Sequence, residues 1–434
     1  MTEKASLETV EPGRAAEPSG LVGARPRGEF DVLVLDAATK MSLASVRSLG
    51  RAGLRVALGE CFAESDRSRP VAAFRSRYSS CNVVLPSYAD EPLAFASAVV
   101  NFIREHPTQV VLPVVDGSIA ALQPQRARLA ELGSVLAVPP DDVLAVANDK
   151  ERTLKVARSL GIAYPKTMRI DSVDDVASVV AELGLPLVLK PTVSWSTQAS
   201  ARLAPLEVID QSEAVRVTSE FLLRGSTVLA QQWASGRREG VTLFVADGQV
   251  VARCAHVAHR TVPPLGGVSV MRESLPASTE LYAAAASLVK AIKLEGPCEV
   301  EFRRDAVGRP LLMEINARLA GTIENAVRSG VDFPLMIWEW TTGQPVNPVM
   351  EYKAGVRTRW LAGDVRWLRD TFSRAGRPDT VSRSRALWWF GSEFFRTRHY
   401  DFVDWHDMRP AMAELGSAAV AARQWWRSRA HSRI

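Results

Sequence analysis

Apolar residues in this chain fall first into short, nearly unbroken runs separated by amphipathic stretches. Phe30-Asp31-Val32-Leu33-Val34-Leu35-Asp36 is one such run, a helical period extends from Met41 to Ala52, and Leu54 to Leu58 forms a second run. Runs that are apolar on both faces predict strands covered on both sides, as in a parallel sheet packed between helices. The alternation continues through Gln109-Val110-Val111-Leu112-Pro113 and Val135-Leu136-Ala137-Val138, which predicts an α/β, doubly wound parallel-sheet domain over residues 29–140.

Beyond residue 140 the pattern changes. Asn148 and Asp149 read as the cap of a helix running to Leu160, closed by Gly161. Leu187-Val188-Leu189-Lys190-Pro191, Thr227-Val228-Leu229-Ala230 and Val241 to Ala246 read as strands. Glu299-Val300-Glu301-Phe302 and Leu311-Leu312-Met313-Glu314-Ile315-Asn316-Ala317-Arg318, joined by a turn over 304–309, read as an antiparallel hairpin. These elements assign residues 141–350 to an α+β domain and 351–434 to a helical extension. Residues 1–28 have no periodicity and no apolar centre of a signal peptide, and we expect a disordered tail there. No run of about 18 uncharged apolar residues occurs, so the expectation is a cytoplasmic protein with no transmembrane segment.

Charge sharpens this division. The net charge is +5, but residues 351–434 alone carry +7 and hold seven of the eleven Trp. Mixed Arg and Trp suit either an anionic surface or the packing of helices, with Arg stems covering apolar surface; packing is the preferred reading, and nucleic-acid binding ranks last. Peripheral contact of this basic end with an anionic surface stays open. Cys61, Cys81, Cys254 and Cys298 are too scattered for a zinc site or a disulfide framework.

Candidate chemistry concentrates on the hairpin. Period-two alternation brings Glu301, Glu314 and Asn316 to one face, and oxygen-only ligands of this kind suit a hard divalent cation carrying phosphates. A solvated hairpin face is the alternative, disfavoured because the acids sit inside strongly apolar strands. Lys190 ends a Val and Leu run, where an ammonium needs an anionic partner. The first turn, Asp36-Ala37-Ala38-Thr39-Lys40, has no glycine to approach a pyrophosphate, which argues against a dinucleotide oxidoreductase. Arg260 and Arg272 bracket Gly266-Gly267, and Arg forks match a planar carboxylate.

Glu301 with Glu314-Ile315-Asn316-Ala317-Arg318 resembles the metal hairpin of the ATP-grasp superfamily, usually Glu-x-Asn-x-Arg. The stretch from His256 to Arg272 and Gly330-Val331-Asp332-Phe333-Pro334 resemble a bacterial carboxylate-amine ligase-like subgroup. The resemblance covers roughly Asp31 to Val346. It implies an ATP-grasp fold behind the doubly wound domain, with ATP and Mg²⁺ as cofactors, two ions being expected and Mn²⁺ able to substitute. It implies that Glu301, Glu314 and Asn316 are metal ligands, that Lys150 and Lys190 grip the nucleotide phosphates, and that Arg318 stabilises charge at the reacting acyl group. Gln231, Gln232 and Trp233 take the adenine hinge, near which two subdomains meet, and Glu239 takes the ribose position. Asp116, in the turn Asp116-Gly117-Ser118, Gly266, Gly267 and Arg260 are expected at the second substrate, with Arg272 alongside as a catalytic charge.

The family's Gly-rich flap is replaced here by Thr192-Val193-Ser194-Trp195-Ser196-Thr197-Gln198-Ala199-Ser200, with Arg202 as a compensating charge. The implied reaction activates a carboxylate as an acyl phosphate and joins it to an amine, releasing ADP and phosphate. Partners are then small-molecule carboxylates and amines rather than nucleic acid, and a homodimer is compatible with the sequence. A carboxylase of the same fold and a nucleotide-binding regulatory protein without turnover are the rival readings.

Overall fold

A computed structural model of the chain describes residues 29–62, 70–196, 201–264, 266–276, 278–374, 377 and 380–416. The expected tail at 1–28 and the pair Trp425-Trp426 lie outside these residues. The first sheet contains β1 (Phe30–Val34), β2 (Val56–Cys61), β3 (Ser79–Leu85), β4 (Thr108–Leu112) and β5 (Val135–Leu136). It is parallel throughout in the order β3-β2-β1-β4-β5, as the two-sided apolar runs predicted. Val32, Leu33 and Val34 are at most 1% exposed, which is why nearly every position of that run had to be apolar.

The order reverses between β1 and β4, and their carboxyl ends open the crevice where ligands bind in sheets of this kind. Asp36 stands at that point with φ of 59°. Its Oδ2 accepts from the backbone N–H of Val114 (3.0 Å) and Val115 (3.2 Å) and from Ser118 Oγ (2.7 Å), locking the two strand ends together. Burial pushes this carboxyl up to about 6 despite those donors.

The second sheet takes β6 (Thr167–Ile170), β7 (Leu187–Pro191), β10 (Leu206–Val208) and β11 (Val228–Gln232) in the antiparallel order β10-β7-β11-β6. Between β7 and β10 lies a small pair, β8 (Trp195–Ser196) and β9 (Ala201–Arg202). This layer closes on a core of its own, including Ile170, Leu187, Leu189, Phe221 and Ala230.

The third sheet has seven strands: β12 (Arg238–Ala246), β13 (Gln249–Val262), β14 (Val268–Leu275), β15 (Gly296–Arg304), β16 (Pro310–Asn316), β17 (Arg357–Arg359) and β18 (His399–Tyr400), ordered β16-β15-β12-β13-β14-β17-β18. Its apolar face continues the core of the first sheet, with Val241, Leu312 and Ile315 in one cluster with Leu33 and Phe95. Asp305 shapes the predicted turn, its Oδ1 accepting from Val307 N and Arg309 N, and Gly308 takes φ of 85°.

The C-terminal extension has the expected helices, Leu361–Ser373 and Arg383–Arg396. It also adds β17 and β18 to the main sheet, so it completes that sheet as well as flanking it. Runs of two and three residues are too short to show alternation, and sequence reading missed them. Trp367 and Ala386 pack with Val270, and Arg260 lies over the Trp367 ring at 4.9 Å, as the packing reading expects, whereas Trp388 and Trp405 are exposed. Among the described residues no helix is long and apolar enough to cross a membrane.

Candidate active site

The three sheets surround a cavity of about 1500 Å³. Its floor is the β15–β16 hairpin, where Glu301 stands opposite Glu314 and Glu299 opposite Asn316. Glu299, Glu301, Glu314, Asn316 and Arg318 all line the cavity. Asn316 Nδ2 donates to Glu301 Oε1 at 3.1 Å, and Arg318 Nη2 donates to Asn316 Oδ1 at 3.0 Å, so Glu301, Asn316 and Arg318 form one connected polar row.

The opposite wall supplies cations. Lys150 opens the helix Lys150–Ser159, whose cap Asp149 accepts from Arg152 N at 3.0 Å. Its Nζ lies 3.4 Å from Glu314 Oε2 and donates to Ser194 Oγ at 2.9 Å. Lys190, buried on β7, lines the cavity itself, whereas Lys150 stands behind the lining residues Glu314 and Ser194. Burial lowers the Lys190 ammonium to about 8, with Lys150 adding repulsion and Glu314 and Glu301 opposing. Burial works to raise Glu314, but Lys150 and then Lys190 hold its carboxyl below the usual range, whereas burial keeps Glu301 above it.

Arg318 and Asp116 meet across the cavity. Arg318 Nε donates to Asp116 Oδ1 at 2.7 Å and Nη2 to Oδ2 at 3.2 Å, a bidentate pair linking the hairpin to the carboxyl end of β4. Arg318 overcomes the effect of burial and lowers the Asp116 carboxyl. Gln231 on β11 lines the cavity beside Gln232 and Trp233, and its Nε2 donates to Thr167 Oγ1 at 2.9 Å, leaving its carbonyl free to accept. Gly266 and Gly267 line the cavity too, and Arg238 Nη1 donates to the Gly267 carbonyl.

Three expected residues are placed elsewhere. Glu239 faces away from the cavity and is 1% exposed; its Oε2 accepts from Arg304 Nε at 2.7 Å, and Arg237 lies beside it. The reason is register: Arg238 and Gly240 present the cavity side of β12, so Glu239 between them points to the other face. Arg260 Nη2 donates to Asp364 Oδ2 at 2.9 Å, and Arg359 Nε donates to the same oxygen at 2.6 Å. Arg272, fully buried, donates to Asp401 Oδ1 at 2.5 Å. Neither of these arginines reaches the cavity wall, because acids of the C-terminal extension have consumed them.

Sequence reading also missed residues that do line it. Arg238 grips both Glu301 oxygens, from Nε at 2.8 Å and Nη2 at 2.6 Å. The two-residue step from Glu301 would have found Glu299, and the step along β12 would have preferred Arg238 to Glu239. Lys40 donates to the Ser269 carbonyl at 2.5 Å and lies 3.8 Å from Asp401 Oδ2; burial lowers it to about 7. Nothing in the sequence joins positions 40, 269 and 401. His256 lines the cavity as well, and burial pushes it down to about 3, so it is neutral. The glycine-free flap is described through Ser196: Trp195 stacks edge-on against Tyr88 at 5.3 Å, and both line the cavity.

Behind a doubly wound domain, two antiparallel layers bring Lys190 and the hairpin carboxylates onto one cavity. The chain is similar to proteins of the ATP-grasp superfamily, of the carboxylate-amine ligase-like kind. Residues 246–363 match the family described as ATP-grasp in the biosynthetic pathway with Ter operon. A D-alanine–D-alanine ligase of Pseudomonas entomophila is 30% identical over 213 residues, 44% of this chain and 63% of that protein, so the chain spans less than two thirds of this relative. Among solved structures, a biotin carboxylase complex from Campylobacter jejuni has a TM-score of 0.59 at 16% identity, covering 76% of this chain and 74% of that one. An L-amino acid ligase from Bacillus licheniformis has a TM-score of 0.54 at 17% identity, covering 75% and 79%. At these identities the structural likenesses show the fold alone.

Proposed function

We propose that the chain is an ATP-dependent ligase that activates a carboxylate as an acyl phosphate and joins it to an amine. The observation that carries this reading is the convergence of Lys190 with Glu301, Glu314 and Asn316 on one cavity, with Lys150 held against Glu314 and the Arg318–Asp116 pair beside them. The donor set fits a magnesium nucleotide: Glu301 and Asn316 are hydrogen-bonded neighbours, and Glu314, opposite Glu301 on the hairpin, lies 3.4 Å from the buried Lys150 ammonium. Glu301, Glu314 and Asn316 would hold the metal, which supplies charge neutralisation and alignment of the phosphates.

The remaining work falls to this chain's own groups. Lys150 and Lys190 bind phosphate oxygens, exchanging carboxylate partners for a more highly charged one. Arg318, fixed in direction by Asp116, faces the charge that develops on the acyl oxygen when the amine attacks. Gln231 offers its carbonyl to an exocyclic amine of the base. ADP release screened over pooled carboxylates and amines, with bicarbonate as a separate arm and mass spectrometry of the product, tests the reading. Turnover with bicarbonate alone would favour the carboxylase reading.

A second reading, nucleotide binding without turnover, draws on one observation. Arg238 already occupies both oxygens of Glu301, so a metal must compete with a guanidinium for that ligand. ATP binding with no ADP release in any arm would favour it.

A further inference from the structure

We infer that Glu299 anchors the ammonium group of the amine substrate, an inference that rests on the ligase reading above. Of the three hairpin glutamates and Asp116, each carboxylate but one has a cation at hand: Arg238 for Glu301, Lys150 for Glu314, Arg318 for Asp116. Glu299 is the exception: Arg238, Arg318 and Lys40 act on it through space, but none forms an ion pair with it. Its side chain is 5% exposed, it lines the cavity, and its close partners are Thr322 Oγ1 at 3.0 Å and His256 Nε2 at 3.3 Å. Both contacts fall on Oε1, and both come from neutral groups.

A carboxylate enclosed this deeply is costly without a counter-charge, and proteins rarely leave one so unless it meets a partner. Oε2 carries neither contact and belongs to a residue of the cavity wall, so the missing cation can arrive from the cavity. The surroundings are built around the arrangement. Gly240, opposite Glu301 on β12, has no room for a Cβ, which would meet the His256 ring at 2.4 Å and Glu299 Oε1 at 3.3 Å. A glycine in mid-strand thus leaves space for the imidazole that holds Glu299 in place. Because Glu299 lies two residues before Glu301 on the same face, a group bound to it sits beside the metal-holding pair, where the amine must approach.

The test uses the full chain, its Glu299→Gln variant and two salts at equal ionic strength, ethylammonium chloride and tetramethylammonium chloride. Ethylammonium donates hydrogen bonds to a carboxylate and tetramethylammonium cannot. The expected result is a higher unfolding temperature for the wild type in ethylammonium than in tetramethylammonium, and no difference between the salts for Glu299→Gln. Mg·ATP affinity, measured by calorimetry, should differ by no more than about twofold between the two proteins, well under the tenfold that 1.4 kcal/mol represents. Glu299→Asp, which keeps the charge but shortens its reach, should retain a reduced response and serves if the Gln variant does not fold. Equal behaviour of the two salts with the wild type overturns the inference. So does a tenfold or greater loss of Mg·ATP affinity in Glu299→Gln, which would place Glu299 in the metal set. Failure of the wild type to bind Mg·ATP removes the ligase reading itself and is read independently of the salts.

Discussion

The seven-stranded sheet carries two charged hairpins whose charges meet different fates. On β15–β16, Glu301 and Glu314 face the cavity, and their cations come from β12 and from the helix Lys150–Ser159. On β13–β14, Arg260 and Arg272 are turned toward the C-terminal extension and are closed off by Asp364 and Asp401. The residue types suggested ligand binding in both places. What separates them is whether another segment of the chain has already supplied the counter-ion out of reach of solvent. A buried pair without an opening holds segments together, whereas a pair at a cavity can exchange one partner for a ligand.

The sharpest break in that comparison is Asp364→Ala. It leaves Arg260 and Arg359 buried without their shared acceptor, and removing one partner of such a set costs about 3–5 kcal/mol. Urea unfolding should show the loss. Retained stability would mean that water reaches these arginines and that the two hairpins differ less than their burial indicates. Glu314→Gln should do the opposite, cutting ADP formation by at least about 100-fold with little loss of stability, since it removes only the charge facing metal and phosphate. Near-normal turnover with any substrate pair would sink the metal assignment.

Lys190→Met ranks next, with a loss of ATP affinity on the order of 1.5–3 kcal/mol for a charge-assisted contact. Its effect on the apo protein has a defined pH dependence. The folded value of about 8 lies below the ordinary 10.5, so between them the unfolded chain binds the proton that the folded chain has released. Stability of the wild type relative to Lys190→Met should therefore rise from pH 8 to 10.5, with the penalty of the buried charge at its full size below that window. Parallel curves for the two proteins across this range would show that Lys190 is not the buried, cavity-facing ammonium described above.

Much of this was legible in the sequence, for physical reasons. Two-sided burial writes itself as unbroken apolar runs, and β1 was read from them. The hairpin was legible because period two and a turn at Asp305 fix which side chains share a face. The departures have two sources. Glu239 was assigned by its distance from Gln231, without following alternation along β12, which gives the cavity to Arg238. Arg260 and Arg272 were assigned without knowing that residues 364 and 401 fold back on them. Ion pairs spanning 104 and 129 residues leave no local pattern.

The smallest expected effect concerns the flap, which lacks glycine from Thr192 to Ser200. Glycine-rich flaps bring backbone N–H groups onto phosphates; this segment instead sets Trp195 edge-on against Tyr88, 5.3 Å between ring centroids and 70° between planes. Gly117 makes room for the contact, since a Cβ there would meet Tyr88 at 2.4 Å and Trp195 at 2.9 Å. The flap is thus tied to the loop that follows β3 by an aromatic pair worth roughly 0.5–1.5 kcal/mol beyond its buried area. Trp195→Ala should raise the apparent Michaelis constant for ATP by about two- to tenfold, and Trp195→Phe, which keeps an aromatic edge, should recover most of that. Gly117→Ala should reproduce the defect from the other side of the contact. An unchanged constant in Trp195→Ala would show that the pair does not help hold the flap over the nucleotide, and it would leave Lys150, through Ser194, as the flap's link to the site.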